Sequence, residues 1–182
     1  MQRVLILGCS GAGKSTLSRR LASVTGLPRI DLDIVHWRPG WVPTPRAEMR
    51  SIVAGLCEQS AWIVDGNYEN TLHIRLARAD TVIWLDYPRH VCLRRVLGRT
   101  LKDLGRVREG GPEGCPERFD LEFLRYVWNF NARSRPSIVA ALENHGSHAR
   151  LHRLQADKDA ERLLRELKQA RAEISDIATG KP

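Results

Sequence analysis

The stretch VLILGCSGAGKST, Val4 to Thr16, constrains the fold of this chain more than any other segment. Gly8-Cys-Ser-Gly-Ala-Gly13-Lys14-Ser15 satisfies G-x-x-x-x-G-K-[ST], and it stands between an apolar run of strand character and a segment of helical period. A strand that turns through glycines into a helix makes a phosphate cradle. Glycines at positions 8, 11 and 13 let the backbone curl until successive N–H groups face inward. The helix N-terminus adds partial positive charge. The expected nucleotide-binding set is Gly8, Ser10, Gly11, Ala12, Gly13, Lys14, Ser15 and Thr16. Lys14 reaches the β and γ phosphates and the Ser15 hydroxyl is a magnesium ligand, so ATP and Mg²⁺ are the expected cofactors.

Beyond that loop, apolar runs rich in β-branched residues alternate with segments of helical period, which is the pattern of βαβ units. Strands are expected at Arg3–Leu7, Arg29–Asp33, Trp62–Asp65, Thr81–Asp86 and Arg150–Leu154. The fold class is therefore α/β, a central parallel five-stranded sheet with helices on both faces. Helices are expected over Lys14–Val24, from Thr44-Pro45 to about Ser60, over Thr71–Arg78 and from Pro88 to about Leu101. Asp120 caps a further one to about Phe130, another follows Pro136, and the last covers Asp157–Ala172. Lys102–Arg118 is rich in glycine and charge and has no period, so it is expected to be a mobile loop. The reading is one domain over 1–175, with a small flap at about 34–61, a lid at about 102–120 and a frayed tail over 176–182. Trp62, Trp84 and Trp128 are expected in the core.

Composition narrows the partners. The net charge of +8 calls for an anionic one, and ten arginines and one lysine against six acids lie between Arg89 and Arg135. Four scattered cysteines form no CxxC pair, so reduced thiols and a cytoplasmic location are expected, with Cys9 a filler. No apolar run is long enough for a membrane. A monomer or weak dimer is expected.

The carboxylates suggest where chemistry happens. Asp86 ends a buried strand, where it would anchor a magnesium-bound water or merely cap the strand. The next residue, Tyr87, stands where ATP-hydrolysing motors carry a water-activating glutamate. Asp31 and Asp33, two apart on an expected strand, project to one side at the carboxyl edge of the sheet, where ligands bind. One would hold magnesium water while the other accepts the proton of an attacking hydroxyl. Acids near a strand end can also be solvated turn residues, and the functional reading is the one favoured here.

Several stretches together resemble the adenylate-kinase-like P-loop kinases, from Val4 to about Leu164: WIVDGNY (Trp62–Tyr68), LDYP, and Arg95-Val-Leu-Gly-Arg99. LDIVHWRPGW, EGCPERFDLEFLRYVWNF and RSRP narrow the resemblance to the bacterial DNA topology modulation proteins, a branch of that superfamily. The resemblance implies a three-layer P-loop NTPase fold with an arginine-rich lid, and Arg95 and Arg99 as a clamp on the donor phosphates. Adenylate kinases carry an arginine for the AMP phosphate soon after the third-strand Asp-Gly. Here Asn67-Tyr68-Glu69 follows, with no cation before Arg75, which disfavours AMP as acceptor. The Asp31/Asp33 pair instead resembles kinases of small metabolites such as shikimate or gluconate.

Lys14, Asp33, Arg95, Arg99 and Arg135 are thus the expected catalytic residues. Asp31, Asp33, Trp37, Trp41, Asn67, Tyr68 and Arg133 would form the acceptor side, and Ser15, Asp31 and Asp86 the metal side. Trp37 and Trp41 either stack an acceptor ring or only pack the flap. Arg106, Arg108 and Arg118 are read as solvated or salt-bridged surface. The expected function is Mg-dependent transfer of the ATP γ-phosphate to a small-molecule acceptor. The alternative is a nucleotide-gated DNA-binding protein; nucleic acid is admitted as a partner but not required. A GTPase is set aside for want of an NKxD motif.

Overall fold

Arg3–Gly8 (β1) is an apolar run with Val4, Leu5, Ile6 and Leu7 fully buried, as a strand covered on both faces requires. The computed structural model of this 182-residue chain describes residues 1–179, with side chains described to residue 173. After β1 come α1 (Lys14–Thr25), β2 (Arg29–Asp31), α2 (Leu32–His36), and a hairpin of β3 (Trp37–Arg38) and β4 (Val42–Pro43). Then follow α3 (Arg46–Cys57), β5 (Trp62–Asp65), α4 (Glu69–Arg78), β6 (Thr81–Leu85), α5 (Arg89–Asp103), α6 (Leu121–His145), β7 (Arg150–Leu154) and α7 (Asp157–Thr179). Five strands form one parallel sheet in the order β2-β5-β1-β6-β7, as expected. Helices α1 and α7 pack together, while α3 packs on α4, α4 on α6 and α6 on α5. The central strand therefore delivers the glycine loop to the middle of the carboxyl edge.

The structure departs from the sequence reading in β2, in α6 and at Trp128, among other places. β2 stops at Asp31, whose side chain accepts from the Asp33 N–H at 3.0 Å and so caps α2. Asp31 and Asp33 consequently do not share a strand face. The helices expected on either side of Pro136 are one, α6, with Pro136 inside it. Val127, Phe130, Ser134 and Ile138 follow one buried stripe along α6, and that continuous burial outweighs the lost backbone bond. Trp128 is 44% exposed on the outer side of α6, with the Arg89 guanidinium 4.1 Å from its ring centroid, so it is not a core residue. Of the tail expected to fray, residues 180–182 lie outside the described residues. No helix among the described residues is long and apolar enough to cross a membrane.

Candidate active site

The glycine loop is closed against its neighbours at two points. A Cβ on Gly11 would lie 2.3 Å from the Cys92 carbonyl oxygen, and one on Gly8 would lie 2.6 Å from that of Leu85; both glycines have positive φ. Ser10, Gly11, Gly13, Lys14, Ser15 and Thr16 line a cavity of about 1120 Å³, and Gly8 and Ala12 are buried behind them. Lys14 Nζ donates to the Gly8 and Cys9 carbonyls at 2.9 and 3.2 Å, a perch at the cavity wall. Asn67, expected on the acceptor side, spends both ends of its amide on Gly8: Gly8 N–H donates to Oδ1 at 3.0 Å, and Nδ2 donates to the Gly8 oxygen at 2.9 Å. It braces the loop, although it still borders the cavity.

Arg75 explains the shape of the turn that carries Asn67 and Tyr68. Its guanidinium is fully buried and donates to the carbonyls of Gly66 (2.6 Å), Asn67 and Tyr68 (2.9 Å). Burial lowers its pKa to about 10, which leaves it charged. Held this way, Tyr68 adopts φ 32°, a strained value for a side-chain-bearing residue, and its hydroxyl donates to Asp33 Oδ1 at 2.7 Å. Burial, then the adjacent Asp33 carboxylate, pushes the Tyr68 hydroxyl up, so it remains a donor.

The carboxylate beside the phosphate loop is Asp65, which the sequence reading missed. Ser15 Oγ stands 3.4 Å from Asp65 Oδ1, and Ser18 Oγ donates to Oδ2 at 2.5 Å. Arg29 lies between two buried acids: Nη2 donates to Asp31 Oδ2 at 2.7 Å and is 3.6 Å from Asp65 Oδ2, while Nε donates to Ser18 at 2.7 Å. Burial, and next the Asp65 charge, pushes the Asp31 carboxyl up to about 6. Asp31 is thus committed to Arg29 and to the start of α2, not to the cavity, which corrects its expected acceptor and metal roles. The Ser15 hydroxyl and Asp65 are hard oxygen donors at the foot of the phosphate loop, a set that suits magnesium. No group of three or more His, Cys, Asp or Glu able to hold a metal occurs among the described residues, and Mg²⁺ with its retained waters does not need one.

Asp86 is elsewhere. It accepts from Arg135 Nε and Nη2, both at 3.1 Å, and from Arg153 Nε at 2.8 Å. Burial would raise its carboxyl, but the bonds from Arg135 and Arg153 hold it below the usual range. The register gives the reason: Gly8 pairs with Leu85, so Asp86 lies one step past the start of the glycine loop, next to β7. Arg135, expected to be catalytic, is spent on this pair. Arg133, expected on the acceptor side, is exposed, and neither residue lines the cavity.

Arg95, Arg99 and Arg108 do line it. Arg95 donates to Asp157 at 2.5 Å, at the first turn of α7. Arg99 and Arg108 meet at Glu117, with Nε atoms 3.9 and 3.6 Å from its Oε1. Arg108 Nη2 is also 3.7 Å from Asp33 Oδ2, so an arginine expected to be solvated or salt-bridged surface ties the segment after α5 to Asp33 at the cavity. The segment after α5 is fastened to the β3–β4 hairpin: Gly40 N–H donates to the Gly114 oxygen (2.8 Å), Trp41 Nε1 to the Pro116 oxygen (2.9 Å), and Cys115 Sγ to the Arg38 oxygen (3.2 Å). Trp37 and Trp41 meet edge to face at 5.5 Å, and both border the cavity beside Tyr68 and Asp33.

No protein-family model matches the chain, and no curated protein does. Among solved structures, a shikimate kinase from Acinetobacter baumannii in complex with shikimate aligns with a TM-score of 0.61 at 17% identity, over 100% of this chain and 95% of its own. The fold is that of the shikimate kinases. Those from Bacteroides thetaiotaomicron (TM-score 0.51, 18% identity, 93% of this chain and 97% of its own) and Aquifex aeolicus vf5 (0.50, 16%, 95% and 98%) align similarly. At such identities the likeness speaks for the fold alone, and the chemistry rests on the residues of the cavity.

Proposed function

We propose that this protein is a kinase that transfers the γ-phosphoryl group of ATP to a hydroxyl of a small molecule. One observation carries the reading: Lys14, Asp33, Arg99 and Arg108 all open into a single cavity. Its volume, about 1120 Å³, exceeds the roughly 300–1,000 Å³ of an ordinary one-ligand pocket and leaves room for nucleotide and acceptor together. The glycine loop takes the phosphates, and Lys14 exchanges its carbonyl partners for their oxygens. Arg95, Arg99 and Arg108 gather on the same anionic tail. Asp33, oriented by Tyr68, accepts the proton of the acceptor hydroxyl as its oxygen bonds to the γ-phosphorus; the bond to the β–γ bridging oxygen breaks and ADP leaves. Ser15 and Asp65 would hold magnesium, which supplies charge neutralisation on the β and γ phosphates. Trp37, Trp41 and Tyr68 wall the acceptor end.

LDIVHWRPGW, EGCPERFDLEFLRYVWNF and RSRP support placing this kinase in the DNA topology modulation branch. The kinase reading is favoured over the DNA-binding alternative because Arg95, Arg99, Arg108 and Arg118 line the cavity. Incubating the protein with MgATP and a panel of hydroxyl metabolites, shikimate and gluconate among them, tests the reading by phosphorus NMR. A new phosphomonoester formed in step with ADP is expected. Slow phosphate release that ignores every acceptor contradicts it.

A further inference from the structure

Glu117 is an acid buried in an exposed segment. It is 6% exposed, whereas its neighbours Pro116 and Arg118 are open to solvent. Its backbone is pinned on both sides: Glu117 N–H donates to the Arg106 oxygen and Gly105 N–H to the Glu117 oxygen, each at 2.9 Å. Thr100, itself buried, donates to Oε2 at 3.4 Å. The other oxygen faces Arg99 and Arg108 together.

Two guanidiniums that close repel each other, and burial, then the Arg108 charge, lowers the Arg99 pKa. One carboxylate offsets both. The contacts are loose, at 3.9 and 3.6 Å against about 2.8 Å for a saturated charge-assisted bond, and both engage the Nε edge. Arg99 Nε is buried without a hydrogen-bond partner among the described residues. A pair held only to stabilise the lid would close its bonds. This pair is gathered and left with capacity to donate.

We infer that Glu117 is the positioning residue of the phosphoryl clamp: it holds Arg99 and Arg108 side by side so that their free N–H groups meet the phosphoryl group moving from the glycine loop toward Asp33. The inference rests on the kinase reading above. Glu117 touches neither nucleotide nor acceptor and acts through the two arginines. Its effect therefore belongs to the transferring group and not to ADP, whose phosphates sit deeper, on Lys14 and the loop.

The test compares binding of MgADP with binding of MgADP plus aluminium fluoride, a mimic of the phosphoryl group in flight, in wild type, E117Q and E117D. Wild type is expected to bind the fluoride complex more tightly by about 100-fold or more. E117Q should lose at least about tenfold of that preference while its MgADP affinity stays within about threefold, and E117D should recover part of the loss. An unchanged preference in E117Q, or an equal loss for both ligands, overturns the role of Glu117 alone. A wild type that does not prefer the fluoride complex overturns this inference, whereas the kinase reading is decided by the acceptor-phosphorylation experiment above. If E117Q does not fold, T100V serves, because it loosens the carboxylate without removing its charge. It should lose about threefold of the preference, and no loss overturns the inference.

Discussion

Asp31 and Asp65 share one guanidinium, that of Arg29, in the buried layer beneath the glycine loop. Asp31 titrates near 6 when folded, above the ordinary value of 3.8. The native state therefore binds this proton more tightly than the unfolded chain, and the contribution is fully present below about pH 4 and lost as pH rises through 6. Linkage puts it at about 3 kcal/mol. Burial raises the Asp65 carboxyl as well, so in D31N the downward slope of stability between pH 4 and 6, measured by urea unfolding, should be shallower than in wild type but not absent; an identical slope in the variant would show that Asp31 does not titrate there. Residue placements were only partly legible in the sequence. Those of Lys14 and Ser15 were, because the loop that positions them is local. Asp65 ends β5 and Asp86 follows β6, the two strands that flank β1, and the register separates them: Asp65 pairs with Ile6, beside Ser15 and Ser18 of α1, whereas Asp86 faces Arg135 and Arg153. That Arg108, expected to be solvated or salt-bridged, borders the cavity was not legible, because its two acids, Asp33 and Glu117, come from separate elements.

Among elements, strands β5 and β7 have the bounds expected of them from the sequence. Helix α6 does not, since proline is a local signal for termination and the stripe that keeps the helix whole lies on residues spread over three turns. Pro136 is exposed and removes a backbone bond to residue 132. P136A should raise stability by about 1–3 kcal/mol, the helix-interior cost of proline less its entropic benefit in the unfolded chain. A loss of stability on urea unfolding would mean that the proline ring itself packs usefully. The hairpin β3–β4 was legible only as an interruption at Pro39, Gly40 and Pro43. That it receives the Gly114–Pro116 segment depends on three bonds between residues more than seventy positions apart, which no local pattern encodes.

At the scale of the whole molecule, the parallel sheet brings the carboxyl ends of β1, β2 and β5 to one edge, so that glycine loop, Asp33 and Tyr68 border the same cavity although they are far apart in the chain. The excess positive charge is partly directed there too. Arg95, Arg99, Arg108 and Arg118 line the cavity, and Arg135 is neutralised on Asp86. The central claim is that Asp33 steers an acceptor oxygen onto a phosphoryl group gripped by the loop and the lid. Its most direct test is the rate of acceptor phosphorylation by D33N, measured beside its affinity for MgATP. The variant keeps an oxygen for the Tyr68 hydroxyl but cannot take a proton. We predict a fall in kcat of about 10²- to 10⁴-fold with MgATP affinity within about threefold of wild type. Turnover equal to that of wild type would contradict the account.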